Sequence, residues 1–176
     1  MAGLINEILM ISRLEANDAE VVVSDVRVSV LLEEIIDSLK PAAAAGQVFM
    51  HCDCQPLSIK ANPQQMKELL SNLVSNAVKY NRPGGQVWVN IREKDGNMVA
   101  RVRDNGVGIP QESLDRIFER FYRVDKGRSR KQGGTGLGLS IVKHIVNFYH
   151  GTIRVTSQLE EGTEFVVTIP LNWKDL

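Results

Sequence analysis

Two asparagines four residues apart, Asn72 and Asn76, fall in step with Glu68 and Lys79, so a helix here sets all four on one polar stripe. Asparagine is a poor helix former, and the pair costs about 1 kcal/mol relative to alanine. Amide carbonyls ligate a hard cation such as Mg²⁺, amide N–H groups donate to phosphate, and the lysine adds positive charge. A plain solvated face is the alternative reading of the same stripe. A second group, Asp104-Asn105-Gly106-Val107-Gly108, follows an alternating segment. A carboxylate at a strand end can accept the exocyclic amine of a base, and glycines let backbone pass close to a ring; Asp-Asn-Gly is also ordinary turn chemistry. In a third group, Ile117-Phe118-Glu119-Arg120-Phe121-Tyr122-Arg123 precedes Lys126, Arg128, Arg130 and Lys131. That suits a lid over a polyanion, or a buried aromatic turn beside a solvated loop. Finally, Gly133-Gly134-Thr135-Gly136-Leu137-Gly138-Leu139 runs straight into apolar periodicity at Ile141, Val142, Ile145, Val146 and Tyr149. A glycine turn feeding a helix N-terminus presents backbone N–H groups and the positive dipole end to phosphate. The spacing is neither G-x-x-x-x-G-K-[ST] nor G-x-G-x-x-G, which points to a nucleotide site of another design.

The elements that must position these groups are legible from periodicity. Residues 1–16 read as an amphipathic helix with Leu4, Ile5, Ile8, Leu9, Ile11 and Leu14 on its apolar stripe, broken at Asn17-Asp18-Ala19. It reads as the end of a longer element that packs on a partner helix. A strand at 21–28, a helix from Ser29 to Ala45 ended by Gly46, and strands at 47–52 and 57–61 follow. Asn62-Pro63-Gln64-Gln65 starts a helix to Tyr80, with Asn as cap and Pro at the first position, and Arg82-Pro83-Gly84-Gly85 ends it. Met66, Leu69, Leu70, Leu73, Val74, Ala77 and Val78 form its core face. Val87, Val89 and Ile91 share one side of a strand; in the next, Ala100 and Val102 face in while Arg101 and Arg103 face water, with Asp95-Gly96-Asn97 as the hairpin. From Asp104 to Gly136 periodicity is weak, the mark of a functional or mobile stretch. A helix at 137–149 capped by Gly151 precedes strands at 152–158 and 163–170, joined at Glu160-Glu161-Gly162.

The chain of 176 residues suits one domain with an appendage. Lysine plus arginine and aspartate plus glutamate both number 21, so no global field argues for nucleic acid or an anionic membrane. No apolar stretch approaches the roughly 18 residues needed to span a bilayer, and the N-terminus lacks signal-peptide form. Cys52 and Cys54, two apart in a strand, read as inert thiols of a reducing compartment, and the chain as cytoplasmic.

Taken together and in this order, the four groups resemble the boxes of the catalytic ATP-binding region of sensor histidine kinases. The run Glu68–Tyr80 is similar to the asparagine box, Asp104–Gly108 to the first glycine box, Phe118–Phe121 to the phenylalanine box and Gly134–Leu139 to the second glycine box. The resemblance covers about residues 20–171. Residues 1–16, with Ile11-Ser12-Arg13-Leu14-Glu15, are similar to the end of the second helix of the family's dimerisation and phosphoacceptor hairpin. The chain thus divides into a helix end at 1–17 and an ATP-binding domain at 18–176.

The resemblance implies an α/β sandwich of the Bergerat type, a mixed β-sheet packed on one layer of helices, preceded by the N-terminal helix fragment. It implies ATP and Mg²⁺ as ligands, with Asn76 on the metal and Asn72 beside it on metal or phosphate. Lys79 and Arg123 would contact phosphates, Tyr80 would pack near the nucleotide, and Asp104 would read the adenine amine. Gly106, Gly108, Ile109, Phe121, Gly134, Thr135, Gly136, Leu137, Gly138 and Leu139 would shape the rest of the site, and Glu68 would help orient the acceptor histidine.

The family's phosphoacceptor motif is nowhere in the chain; His51, His144 and His150 read as structural, the last suited to a helix C-terminus. The expectation is a domain that passes the ATP γ-phosphate to a histidine on the phosphoacceptor helix of the intact kinase, for relay to a response regulator. The intact protein would be a homodimer, attached to membrane only through N-terminal regions absent from this chain, with no nucleic-acid partner. An alternative is an ATP-gated switch or ATPase like the gyrase, mismatch-repair and chaperone relatives. Those carry a water-activating Glu at the position of Asn72.

Overall fold

The computed structural model describes residues 22–124 and 135–173. The expected helix at 1–16, the basic run Lys126–Lys131, and Gly133 and Gly134 lie outside the described residues. Chain order is β1 (Ser24–Arg27), α1 (Val28–Ala45), β2 (Phe49–Cys54), β3 (Ser58–Ala61), α2 (Pro63–Lys79), β4 (Gln86–Lys94), β5 (Asn97–Asp104), α3 (Gly138–Phe148), β6 (Thr152–Gln158) and β7 (Gly162–Pro170). Five strands form one sheet in the order β2-β4-β5-β7-β6, and β1 and β3 form a separate ribbon. Only the β2–β4 pair of the five-stranded sheet is parallel, so the sheet is mixed as expected.

Alternation decides which face is covered. Val87, Val89 and Ile91 of β4, Met98, Ala100 and Val102 of β5, and Phe165, Val167 and Ile169 of β7 are buried against the helices. Arg101 and Arg103 point to solvent. The three α-helices of the described residues serve this one layer through apolar stripes, for example Met66, Leu69, Leu70, Leu73, Val74, Ala77 and Val78 of α2 and Ile141, Val142, Ile145 and Val146 of α3. Each fully buried aliphatic side chain contributes about 1.5–3 kcal/mol, so the stripes dominate the packing.

Local signals set the ends of the elements. Asn62 Oδ1 accepts the Gln65 N–H at 3.1 Å and Pro63 opens α2, the cap the sequence predicts. The strand expected at 21–28 is confined to Ser24–Arg27, because Val28 already begins α1 and gives its N–H to Leu57 O. α1 ends at Gly46 as expected, while the cap past α3 differs. Gly46 caps α1 in a right-handed conformation, and the left-handed residue is Gln47 (φ 53°), which moves the next strand to 49–54. Past α3 the left-handed residue is His150 (φ 54°), not Gly151. His150 N–H reaches Asn147 O and Gly151 N–H reaches Val146 O, a Schellman pattern. Glycine is needed at 151 for space: a Cβ there would fall 2.4 Å from Thr168 O.

Two contacts align α2 and α3. At one end the buried Tyr149 hydroxyl accepts the Asn62 N–H at 2.9 Å and donates to Gln65 Oε1, its pKa pushed up to about 12 by burial. Further along, α3 begins at Gly138, where an added Cβ would lie 2.5 Å from Asn72 Oδ1. The start of α3 is thereby delivered to the polar stripe of α2.

Candidate functional site

Glu68, Asn72, Asn76 and Lys79 lie half-buried along one side of α2. Asn72 Nδ2 donates back to Glu68 O at 2.9 Å and to Glu68 Oε2 at 3.5 Å. That fixes the amide and leaves its oxygen facing the start of α3. The neighbouring Tyr80 is 41 % exposed, Lys79 Nζ sits 5.4 Å from its ring centroid, and burial raises the phenol pKa against the opposing pull of the Arg123 charge. The end of α2 therefore gathers two cations around one accessible aromatic ring.

The loop after β5 is bound to this end of α2. Val107 N–H donates to Tyr80 O at 3.1 Å, and a Cβ on Gly106 would fall 2.4 Å from the same carbonyl. Asn81 Nδ2 donates to Ala77 O and Gln86 O, while Asn105 Oδ1 accepts the Gln86 N–H. At Gly108 (φ 70°) a Cβ would lie 2.0 Å from Gln158 O. The close approach that these two glycines permit is thus to the protein's own backbone.

Asp104, 8 % exposed, accepts the Gly106 N–H at 2.8 Å and the Thr163 N–H. Burial nevertheless raises its pKa from 3.8 to about 6, the two N–H groups opposing the rise. A buried carboxylate at a strand end with acceptor capacity to spare suits a donor such as an exocyclic amine. The sign for stability follows from linkage. The folded state holds its proton more tightly than the unfolded chain, so this stabilisation is full below 3.8 and is lost as pH rises through about 6. The urea midpoint of the ligand-free domain is expected to fall across that window, and an Asp104→Asn variant to lack this component of the slope.

The third and fourth groups meet beside α3. Phe118 packs edge-on against Phe165 at 6.5 Å. Phe121 is 62 % exposed and held at φ 63° by its N–H bond to Gly136 O, where a Cβ on Gly136 (φ 76°) would meet Phe121 at 2.9 Å. Thr135 Oγ1 accepts the Leu137 N–H, Leu137 is buried, and Leu139 is half-buried against the core. Ile109 is also half-buried and gives its N–H to Ser157 Oγ at 2.8 Å. Of the residues expected at the site, only Gly134 lies outside the described set.

Among the described residues no cluster of three or more His, Cys, Asp or Glu could hold a metal. The donors here are amide oxygens, which fits Mg²⁺, a cation that takes few protein ligands and completes its shell with phosphate and water. A separate groove of about 350 Å³, lined by Arg27, Val30, Leu31, Glu34, Pro63 and Lys67 among others, holds none of the site residues. No helix among the described residues is long and apolar enough to cross a membrane.

Residues 61–172 match the family described as histidine kinase-, DNA gyrase B-, and HSP90-like ATPase. The chain belongs to this family. Within it, the sensor-like histidine kinase SenX3 of Mycolicibacterium smegmatis is 37 % identical over 171 residues, covering 97 % of this chain and 44 % of the relative. The sensor protein kinase WalK of Staphylococcus haemolyticus is 34 % identical over 172 residues, covering 97 % and 28 %. Full-length ShkA, solved in complex with AMPPNP, superposes with a TM-score of 0.81 at 29 % identity over 96 % of this chain and 35 % of that one. The chain thus spans less than half the length of these relatives, and the part it spans is an ATP-binding catalytic domain of the histidine kinase type with a Bergerat fold.

Three residues that line up behind the site carry no signal in the sequence. Ser157, Gly162 and Thr163 read only as strand and turn, yet Thr163 N–H reaches Asp104 and a Cβ on Gly162 would fall 2.0 Å from Asp104 O.

Proposed function

We propose that this domain serves an intact sensor kinase by transferring the γ-phosphate of ATP to a histidine outside this chain, for relay to a response regulator. The observation that supports it best is the seam between α2 and the Asp104 loop, where Tyr80 O takes the Val107 N–H and joins a base-reading carboxylate to a stripe of amides. Asp104 accepts the adenine amine. Asn76, with Asn72 beside it, holds Mg²⁺, which supplies charge neutralisation at the phosphates when bound. Lys79 and Arg123 face the phosphates, Tyr80 covers the nucleotide, and the α3 N-terminus from Gly136 to Leu139 offers N–H groups. Phe121, Thr135 and Leu137 shape that end, and Gly106, Gly108 and Ile109 shape the base end. Glu68, hydrogen-bonded to Asn72, orients the incoming histidine. Residues 1–17 are the end of the dimerisation and phosphoacceptor helix, through which the intact protein pairs as a homodimer on the cytoplasmic side of a membrane.

Calorimetric titration with ATP, with and without Mg²⁺, tests the site. Asn76→Ala is expected to lose most of the gain in ATP affinity that Mg²⁺ gives the parent, about 1.5–3 kcal/mol by loss of a charge-assisted contact, while Mg²⁺-free ADP binding stays unchanged. An undiminished Mg²⁺ gain in the variant would remove Asn76 from the metal. Mixed with a separate phosphoacceptor hairpin and ATP, the domain is expected to place acid-labile phosphate on the hairpin and none on itself. Steady hydrolysis without transfer would instead favour the ATPase reading.

A further inference from the structure

The loop that carries the base-reading groups is held from behind by the β6–β7 hairpin. Asp104 takes the Thr163 N–H, Glu160 N–H donates to Val107 O at 2.9 Å, Gly108 rests on Gln158 O, and Ile109 N–H donates to Ser157 Oγ at 2.8 Å. The first three use hairpin backbone, which no side-chain truncation in the hairpin removes. The fourth runs through a side chain.

The bonding around that side chain is complete. A serine hydroxyl has one proton and two lone pairs. Ser157 donates to Gly162 O at 2.9 Å, and its Oγ lies 2.9 Å from Thr163 Oγ1. With the proton on Gly162 O, the lone pairs take the Ile109 N–H and the Thr163 hydroxyl, so the full capacity is used and the rotor is fixed. Ser157 pairs with Thr163 across the hairpin, and Thr163 pairs with Asp104 across the sheet. One half-buried hydroxyl thus ties the far end of the loop to the residue whose N–H bonds the Asp104 carboxylate.

We propose that Ser157 is a positioning residue for base recognition, fixing the Gly106–Ile109 loop so that the Asp104 carboxylate meets the base in a single direction. The proposal rests on the assignment of Asp104 to the base. Alanine at 157 leaves the Ile109 N–H without its acceptor and frees the loop at one end.

The test is titration of the domain and its variants with ADP and GDP, joined to amide exchange at Ile109. Ser157→Ala is expected to bind ADP about tenfold more weakly, to lose part of its preference for ADP over GDP, and to exchange the Ile109 amide faster. Amides in the middle of β5 should exchange as before. Ser157→Thr, which keeps the hydroxyl, is expected to restore all three. Should the alanine variant fail to fold, Ser157→Cys carries the same test, since sulfur fills the place but accepts poorly. An alanine or cysteine variant that binds ADP within twofold of the parent with unchanged base preference would overturn the proposal. So would a loss that threonine leaves in place. A parent domain that binds both nucleotides alike would instead remove the base assignment itself, a separate and recognisable failure.

Discussion

Asp104→Asn is expected to weaken ADP binding about a hundredfold, the cost of replacing a charged acceptor in a buried site by a group that presents its own donor. The native carboxylate is acceptor-only, takes the Gly106 and Thr163 N–H groups, and keeps lone pairs for the base. Asparagine has one acceptor oxygen, and its NH₂ must face a backbone N–H or the adenine amine. Either arrangement sets donor against donor. The fold should suffer little, because the neutral amide also removes the burial penalty that lifts the Asp104 pKa to about 6. Calorimetry and thermal melting on the same sample separate the two: a large loss of affinity with a melting temperature held or raised. Binding like that of the parent would mean that another group reads the base. In the native domain ADP affinity should rise with pH through about 6, opposite in direction to the stability change.

The second large effect is expected at Gly108. Alanine there meets two obstacles at once, a backbone at φ 70° and a Cβ 2.0 Å from the carbonyl oxygen of Gln158. Neither a left-handed backbone nor a rigid carbonyl in a strand can yield cheaply, and the combined cost is about 2–4 kcal/mol. The loop would be pushed off the hairpin, taking the Ile109 bond to Ser157 with it. Gly108→Ala should therefore lower the urea midpoint and abolish measurable ADP binding. Gly84→Ala makes a useful control: its φ is 77°, but nothing lies within 4 Å of an added Cβ, and it should cost only the backbone strain. Equal losses in the two variants would show that contact with the hairpin is unimportant.

Much of this candidate site is legible in the sequence, for physical reasons that differ along the chain. The stripe Glu68, Asn72, Asn76 and Lys79 stood out because helical spacing is rigid and asparagine is uncommon in it. Asp104 stood out because it closes an alternating strand ahead of two glycines. What stayed hidden was reciprocal. Gly106 and Gly108 announce that something comes close, yet the partners, Tyr80 O and Gln158 O, are backbone atoms and leave no trace in residue type. Ser157 and Thr163 were opaque for the same reason, a small polar residue on a strand being unremarkable until its register is known. The left-handed residues past the two helices, Gln47 and His150, each lie one place from the glycine that the sequence offers.

β5 is laced to a neighbour along both edges, through eight paired residues with β4 and eight with β7, and Asp104 is its last residue. Asn72 and Asn76 ride instead on a helix whose hold on the sheet is chiefly apolar packing. The two halves of the site thus belong to regions of unequal local stability. On the proposed assignments, a fluctuation that lifts α2 would break the Val107–Tyr80 bond and loosen the hold on cation and phosphates, while Asp104 itself stays on the doubly paired β5. A nucleotide held as proposed would then stay tethered by its ring while its charged tail lets go.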